Sequence, residues 1–131
     1  MKQWLDLVLE YGWAYGSNGK MLTGKWAMNV ISSGGNFNVY NKEGRNRFTH
    51  REFLNSFDQT AHLCLMEYLP PFIVPGANKL SSAEIEDYMI RYEQIAHFLM
   101  KDNIDVSKLR LVENFNQLNE DQWEHQFYKT Q

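Results

Sequence analysis

Residues 31–40 read Ile-Ser-Ser-Gly-Gly-Asn-Phe-Asn-Val-Tyr, and this stretch decides the predicted fold. An apolar run that includes Trp26, Met28 and Val30 leads into two hydroxyl side chains and then into a glycine pair. A buried strand can end in this way, because glycine lets the backbone approach a ligand closely. We therefore predict a strand over residues 25–32, followed by a loop that lies against a flat or anionic group.

A second strand is predicted over residues 67–74, with two prolines near its start. Proline lacks the N–H donor that a central strand needs, so this strand is expected at or near a sheet edge. Between the strands, Thr49 and Glu52 match a capping box that begins a helix. The predicted apolar face of this helix is formed by Phe53, Leu54, Phe57, Ala61, Cys64 and Leu65. Strand, helix and strand together predict a right-handed parallel βαβ unit.

A longer helix is predicted to follow, beginning at a capping box of Ser81 and Glu84. Its apolar stripe is expected to pack in the core and is formed by Ile85, Tyr88, Met89, Tyr92, Ile95, Ala96 and Leu99. Residues 102–131 are more polar and predict a weakly helical extension that packs on a partner subunit. The predicted division is therefore a domain part over residues 1–101 and an extension over residues 102–131.

The composition limits the class of protein. The chain has 131 residues, of which 44% are hydrophobic and 22% charged, as in one globular domain. The net charge of -3 gives no basic footprint for nucleic acid. No apolar run approaches the roughly 20 residues that a transmembrane helix needs. The single cysteine, Cys64, favours a reducing compartment, so we predict a cytoplasmic location.

The polar loop that follows the first strand is rich in basic residues. They are Lys42, Arg45, Arg47, His50 and Arg51. Two interpretations stay open from the residues alone. The loop is either an ordinary solvated connection or a basic lip that attracts a phosphorylated substrate. Cys64 lies on the apolar face of the following helix and is predicted to serve packing. We predict no metal site, because His62 has no second ligand at helical spacing.

Seven blocks of sequence over about residues 1–100 carry a family resemblance. They are Lys2, Trp4, Asp6 and Val8; Gly12, Trp13, Ala14, Tyr15 and Gly16; Leu22, Gly24 and Lys25; Ser32, Ser33, Gly34 and Gly35; Tyr40, Gly44, Asn46, Arg47, Phe48 and Thr49; Phe57, Gln59, Thr60 and Ala61; and Leu69, Pro70, Pro71 and Phe72. In this order and spacing the chain resembles the flavodoxin-like NAD(P)H:quinone oxidoreductase family. The branch it resembles includes modulator of drug activity B and the ancillary oxidoreductases of glutathione-gated potassium-efflux systems.

The resemblance implies an α/β fold of three layers, a doubly wound parallel sheet with the flavodoxin strand order. In such a fold the flavin binds at the switch point between the first and third strands. The chain would carry the C-terminal half, with two strands, about three helices and a tail. The first three strands, on the order of 60 residues, would be absent. We therefore expect a fragment, a truncated reading frame or a chain completed by a separate polypeptide.

The activity that the resemblance implies is NAD(P)H dehydrogenase (quinone) activity. An oxidoreductase of this kind is a flavoprotein that passes a hydride from NAD(P)H to bound FAD or FMN, and then two electrons to a quinone. The resemblance places Ser32, Ser33, Gly34 and Gly35 along the flavin ring. It also implies a cytoplasmic homodimer.

Further roles follow from the same resemblance. Tyr40 would donate a hydrogen bond where negative charge develops on the reduced ring. Asn46 stands where mammalian-type members have a histidine, and an amide cannot become cationic near neutral pH. His50 is a conceivable substitute for that histidine. Trp13 and Tyr15 resemble the aromatic segment that closes the substrate pocket across a dimer interface.

Two alternatives to an active reductase remain from the sequence. One is a regulatory subunit that docks on a potassium-efflux transporter, which would place it peripherally at the inner face of the membrane. The other is an inactive chain whose first strand exposes an unpaired edge. The sequence does not decide between FAD and FMN, between NADH and NADPH, or among quinones.

Overall fold

The computed structural model describes residues 2–119, 122–123 and 126–129. Within these residues the helices are α1 Lys2–Val8, α2 His50–Phe53, α3 Asn55–Leu63, α4 Ser82–Leu99 and α5 Val106–Leu109. The strands are β1 Trp26–Ala27, β2 Val30–Ser32, β3 Glu67–Tyr68 and β4 Phe72–Val74. Single 3-10 turns occur at Phe37–Val39, Ala77–Lys79 and Phe115–Gln117.

The four short strands form two parallel strand lines, each of which corresponds to one predicted strand. The first strand line is β1 followed by β2, and the second is β3 followed by β4. β1 pairs with β3, and β2 pairs with β4 in the register Val30 to Phe72 and Ser32 to Val74. Each predicted strand is therefore present but interrupted. The second line has one more residue in its interruption than the first, and this interruption contains the two prolines. The predicted parallel βαβ unit is confirmed, since α2 and α3 connect the two lines.

The outer edge of β4 has no neighbouring strand among the described residues, which agrees with the predicted edge position. A side chain pairs with this edge instead. The Asn116 amide donates to the Ile73 carbonyl at 2.7 Å, and its Oδ1 accepts from the Ile73 N–H at 2.9 Å. Beside it, the Phe115 N–H donates to the Pro71 carbonyl at 3.0 Å. Asn116 thus replaces the backbone of an adjacent strand at one position.

The helix between the strand lines begins at the predicted capping box. The Thr49 side chain accepts from the Glu52 N–H, and the Glu52 carboxylate accepts from the Thr49 N–H. The helix is divided at Leu54, which is buried with Ala61 and Cys64. The predicted face is wrong for Phe53 and Leu65, which are both exposed. Leu65 has φ 59°, so the chain turns away from the helix axis at this residue.

The long helix α4 also begins at its predicted capping box, with Ser81 as N-cap. Only its C-terminal half lies in the core, where Ile95 and Phe98 are buried. The prediction that the whole stripe is core is wrong for Ile85, Met89 and Tyr92, which are 45%, 65% and 41% exposed. The described part of the chain does not cover the first turns of this helix, because the extension packs further along it.

Residues after 101 share the main hydrophobic core with the domain part. The cluster comprises Leu69, Phe72, Ile95, Phe98, Ile104, Leu109, Phe115, Leu118, Trp123 and Phe127. Six of these ten side chains belong to the extension, so the prediction that it packs on a partner subunit is wrong for them. The boundary at residue 101 stays a prediction.

Two arginines hold the extension by its backbone carbonyls. Arg51 of α2 donates to the carbonyls of Val112 and Arg110. Arg91 of α4 donates to the carbonyls of Asn116 and Leu118, at 2.7 and 2.6 Å. Charged donors make stronger hydrogen bonds than neutral ones, so these contacts fix the extension against both helices. Among the described helices, none has the length and apolar character that a membrane span requires.

Candidate functional site

The segment of residues 33–40 that follows β2 is called the glycine loop below. It is tied to the end of β4 and to the turn that follows by three backbone hydrogen bonds. The Ser33 N–H donates to the Val74 carbonyl at 3.0 Å, and the Ala77 N–H donates to the Ser33 carbonyl at 2.9 Å. The Gly76 N–H donates to the Gly35 carbonyl at 3.1 Å. The carboxyl ends of both strand lines therefore form one connected surface.

Close packing explains two of the glycines at this surface. A Cβ on Gly35 would lie 2.5 Å from Val39 Cγ2, which is too close for two non-bonded carbon atoms. Gly76 has φ +66°, and a Cβ there would lie 2.1 Å from Asn36 Oδ1. A side chain at either position would displace its neighbour, and at Gly76 it would also strain the left-handed backbone.

Gly34 has a different environment. It is exposed, and an added Cβ would meet only the Asn78 side chain, at 3.4 Å. Neither the Gly34 nor the Gly35 N–H donates a hydrogen bond to any residue that the structure describes. These amides and the open face of Gly34 are suited to a flat ligand with acceptor atoms along one edge. A flavin ring has this character, so the residues fit the predicted cofactor.

Tyr40 lies at the far end of the glycine loop and is half-buried. Its ring stacks on the His50 imidazole, with centroids 3.8 Å apart and an interplanar angle of 26°. The Phe53 ring contacts the Tyr40 ring edge-on, with ring centroids 5.9 Å apart. Phe53 therefore packs against the end of the glycine loop and not on the predicted apolar face of the helix. The predicted catalytic side chain thus has its orientation set by its neighbours on α2.

His50 is buried and also contacts the start of the glycine loop. Its Nε2 lies 2.9 Å from Ser33 Oγ. Burial lowers the pKa of His50, and the nearby Glu113 carboxylate opposes this shift. This placement has no local signal in the sequence beyond the position of His50 directly after the N-cap. His50 and Arg51 therefore do not belong to an exposed basic lip.

The other predicted site residues lie at the margins of the loop. Ser32 is exposed at the end of β2. Asn46 is half-buried, and its N–H donates to the Val39 carbonyl at 3.0 Å, which holds the loop end. Lys42, Arg45 and Arg47 are exposed, with no ion pair to any described residue. Three cations thus remain available to an anionic group beside the loop.

Trp13 and Tyr15 lie elsewhere in the chain. Trp13 lines an apolar cavity of about 500 Å³ together with Trp4 and Trp26 at the start of the first strand line. Tyr15 packs edge-on against Tyr11, with ring centroids 5.7 Å apart. Six residues, 27–32, lie between Trp26 and the glycine loop, which corresponds to roughly 20 Å of extended chain. One chain does not bring these aromatics to the loop, and closure across a dimer stays a prediction.

A second cavity, of about 390 Å³, separates the glycine loop from the extension. Phe37, Tyr40 and His50 form its aromatic side, and Glu113 and Asn114 lie opposite. The Oδ1 atom of Asn114 is buried without a hydrogen-bond partner among the described residues. From the sequence we predict no role for this part of the extension. Its position beside the glycine loop depends on contacts between residues that are distant in the sequence.

The burial of Cys64 agrees with its predicted role in packing. It is 1% exposed, and burial raises the pKa of its thiol. A thiol that is both buried and protonated is a poor nucleophile. We therefore assign Cys64 no role in the chemistry of the candidate site.

Comparison with known proteins places this geometry in a family. Residues 1–96 match the family model described as flavodoxin-like fold. An uncharacterized NAD(P)H oxidoreductase, YdeQ of Bacillus subtilis, is 37% identical over 90% of this chain and 58% of its own length. The glutathione-regulated potassium-efflux system ancillary protein KefG of Erwinia tasmaniensis is 34% identical over 70% of this chain and 50% of its own length. The chain thus spans about half the length of the curated relatives it matches.

Solved structures give the same result for the fold. An NADPH-quinone reductase from P. pentosaceus superposes with a TM-score of 0.66 and 30% identity, over 72% of this chain and 56% of its own. The general stress protein 14 of Treponema denticola, solved with FMN, gives 0.59 and 38% identity, over 68% and 53%. A protein described as a thermophilic tryptophan halogenase from Streptomycin violaceusniger gives 0.68 and 36%, over 71% and 54%.

The names of these similar proteins differ in activity, since a fold does not by itself determine a reaction. The family match, in contrast, covers most of the chain and includes both strand lines and the glycine loop. The chain therefore belongs to the flavodoxin-like family that includes NAD(P)H oxidoreductases and the ancillary proteins of potassium-efflux systems.

Proposed function

We propose that this chain supplies one wall of the flavin site in an NAD(P)H-dependent oxidoreductase that reduces quinones by two electrons. The observation that carries the proposal is the glycine loop, with its open Gly34 and two amides free of described partners. A bound FMN or FAD would supply the redox chemistry by accepting a hydride and releasing two electrons. The FMN in the Treponema denticola structure favours FMN over FAD.

Each loop residue has a proposed part. The hydroxyls and amides of residues 32–35 bind along the ring, and Gly34 allows the close approach. Tyr40 directs a hydrogen bond at the ring edge, in an orientation set by the stacked imidazole. Asn46 orients a substrate by an amide hydrogen bond, without changing its own charge.

The remaining walls are proposed to lie outside these residues. The chain covers about half of its relatives, and we expect a flavin held by the glycine loop alone to bind weakly. We propose that a homodimer completes the substrate pocket through Trp13 and Tyr15. The exposed cations Lys42, Arg45 and Arg47 are placed to favour the additional phosphate of NADPH.

The activity is tested with a chimera, in which this whole chain, including the extension, replaces the matching part of the FMN-binding protein from Treponema denticola. We expect the purified chimera to bind FMN and to oxidise NADPH in the presence of a quinone. A Tyr40→Phe version should keep FMN but lose about tenfold or more in kcat, if the hydroxyl stabilises developing charge. A folded chimera that excludes FMN, judged by circular dichroism and absorbance, would contradict the proposal.

A second function is favoured by the relatives named KefG, which are ancillary to a potassium-efflux system. We propose docking on such a transporter, at the inner face of the membrane, as an alternative main role. A pull-down with the transporter that persists in Tyr40→Phe would favour docking over redox chemistry. A third outcome, an inactive chain, would be supported if neither flavin binding nor capture is observed.

A further inference from the structure

His50 connects the two ends of the glycine loop. Ser33 is the first residue of the loop and Tyr40 is the last, and the His50 side chain contacts both. The imidazole also meets the Phe37 ring edge-on, with centroids 5.3 Å apart. His50 is only 4% exposed, so its side chain is held within this packing and has little contact with solvent.

The backbone position of His50 is fixed by the start of α2. Thr49 and Glu52 form the capping box on either side of it, and Arg51 anchors the same turn to the extension. A side chain on this first turn therefore has a rigid base. The glycine loop, in contrast, has no regular structure except the 3-10 turn Phe37–Val39.

The hydrogen bonds of Ser33 determine which ring nitrogen of His50 carries the proton. The Ser33 hydroxyl donates to the Gly35 carbonyl at 2.9 Å, and a hydroxyl has a single hydrogen to donate. With that hydrogen used, the contact of 2.9 Å between Ser33 Oγ and His50 Nε2 is satisfied when Nε2–H is the donor. The contacts of Ser33 therefore favour the Nε2–H form of the neutral imidazole, with the lone pair on Nδ1.

We propose that His50 is a positioning residue for the flavin-facing loop. Its Nε2–H fixes the Ser33 hydroxyl, and its ring face fixes the plane of Tyr40. The spacing between the two ends of the loop is therefore set by one side chain from the following helix. This inference rests on the proposed function only in the identity of the ligand that the loop faces. The contacts themselves are a property of the chain.

The first test needs no flavin. Long-range ¹⁵N–¹H NMR spectra of the purified full chain distinguish a protonated ring nitrogen from one with a lone pair. We expect a protonated Nε2 and an unprotonated Nδ1 for His50 above its pKa. In Ser33→Ala this preference should weaken, because the acceptor is removed. A protonated Nδ1 in the neutral ring would overturn the assignment.

The second test separates the contact of His50 with Ser33 from its contact with Tyr40. His50→Gln keeps a side-chain N–H donor for Ser33 but lacks the ring, whereas His50→Phe keeps a ring for Tyr40 but lacks the donor. The matched control is His62→Gln, since His62 is exposed on α3. The readout is amide hydrogen exchange of Gly76, whose N–H donates to Gly35, and of Tyr40.

We expect His50→Phe to accelerate amide exchange at Gly76 on the order of tenfold, as for the loss of one hydrogen bond. We expect His50→Gln to accelerate amide exchange mainly at Tyr40. His62→Gln should leave both unchanged. Equal acceleration at every amide of the chain, in both His50 variants, would show a merely structural role and overturn the proposal.

FMN titration then tests the connection with the flavin. The two His50 variants should bind FMN more weakly than the wild-type chain, and His62→Gln should not. If the wild-type chain shows no FMN contact at the loop, the proposed function fails while the NMR and exchange results still decide the role of His50. If FMN binds the loop equally in all variants, the positioning proposal fails alone.

Discussion

The Nε2 atom of His50 lies 2.9 Å from Ser33 Oγ, and this contact joins the first turn of α2 to the start of the glycine loop. The loop follows one strand line and the helix precedes the other, so the contact closes the βαβ unit at its carboxyl end. In α/β sheets, ligands bind at this end of the strands. The geometry of the loop consequently depends on packing that is distant in sequence.

Substitution of the two loop glycines should separate stability from binding. Gly35→Ala places a methyl group against Val39 and should lower the free energy of unfolding by about 1–3 kcal/mol. Gly34→Ala meets only ordinary contact and should change it by less than about 0.5 kcal/mol. Urea unfolding followed by circular dichroism measures both variants. Equal losses would contradict the described loop packing.

The stability of the outer edge of β4 should depend on the amide side chain of Asn116. Asn116→Ala removes both hydrogen bonds to the Ile73 backbone and should cost about 2–4 kcal/mol of unfolding free energy. Hydrogen exchange at the Ile73 amide should accelerate more than exchange elsewhere. Gln117→Ala is the control, since Gln117 is the exposed neighbour on the same turn. An unchanged Ile73 amide would show that this edge is protected in another way.

Tyr68 should make stability fall at high pH. Its hydroxyl donates to Asn29 Oδ1 at 2.6 Å, and burial, reinforced by Asp58 and opposed by Arg51, raises the pKa of Tyr68 to about 12. The ordinary value is 10.0, so the folded state disfavours the phenolate. Stability from this group is therefore complete below pH 10 and is lost as the pH rises toward 12.

Tyr68→Phe isolates this effect. Unfolding free energies of the wild type and the variant, measured between pH 8 and 11, should converge as the pH rises. At pH 8 the variant should be less stable by about 1 kcal/mol, because Asn29 loses a hydrogen bond. A constant difference across this range would contradict the raised pKa.

The N-cap of α4 gives a prediction with the opposite pH dependence. Ser81→Ala should cost about 1 kcal/mol at pH 7, whereas Ser82→Ala, one residue into the helix, should cost little. Hydrogen bonds from the Ser81 backbone and side chain lower the pKa of Glu84 below its ordinary 4.5.

For a carboxyl group with a lowered pKa, stability is present above the ordinary value and is lost as the pH falls through the folded value. The deficit of Ser81→Ala should therefore shrink below pH 4.5, as measured by thermal unfolding at stepped pH. The backbone N–H of residue 81 still donates to Glu84 in this variant, so a deficit that stays constant down to low pH would show that the Ser81 hydroxyl does not help to lower the pKa of Glu84.

Local signals in the sequence predicted much of the fold. Thr49 with Glu52 and Ser81 with Glu84 gave both capping boxes, because a capping box is a contact within four residues. The two parallel strand lines followed from apolar runs on either side of a helix. The interruption at the prolines also has a local cause, since proline lacks a donor.

Contacts between distant residues could not be predicted in this way. Asn116 pairs with Ile73 across 43 positions, and Arg51 reaches Val112 across 61. The exposed half of α4 was missed because a periodic stripe shows which face is apolar but not what covers it. For the site, the order Ser-Ser-Gly-Gly located the loop, while His50 gave no local sign of being buried beneath it.

An NMR titration of the ¹⁵N-labelled chain with FMN tests directly whether the glycine loop contacts the flavin, because it detects even weak binding at individual amides. We expect the largest shifts at Gly34, Gly35 and Tyr40, and smaller shifts at the same amides in Gly34→Ala. Shifts confined to the cavity lined by Trp4, Trp13 and Trp26, with the glycine loop unchanged, would contradict the claim that this loop is a wall of the flavin site.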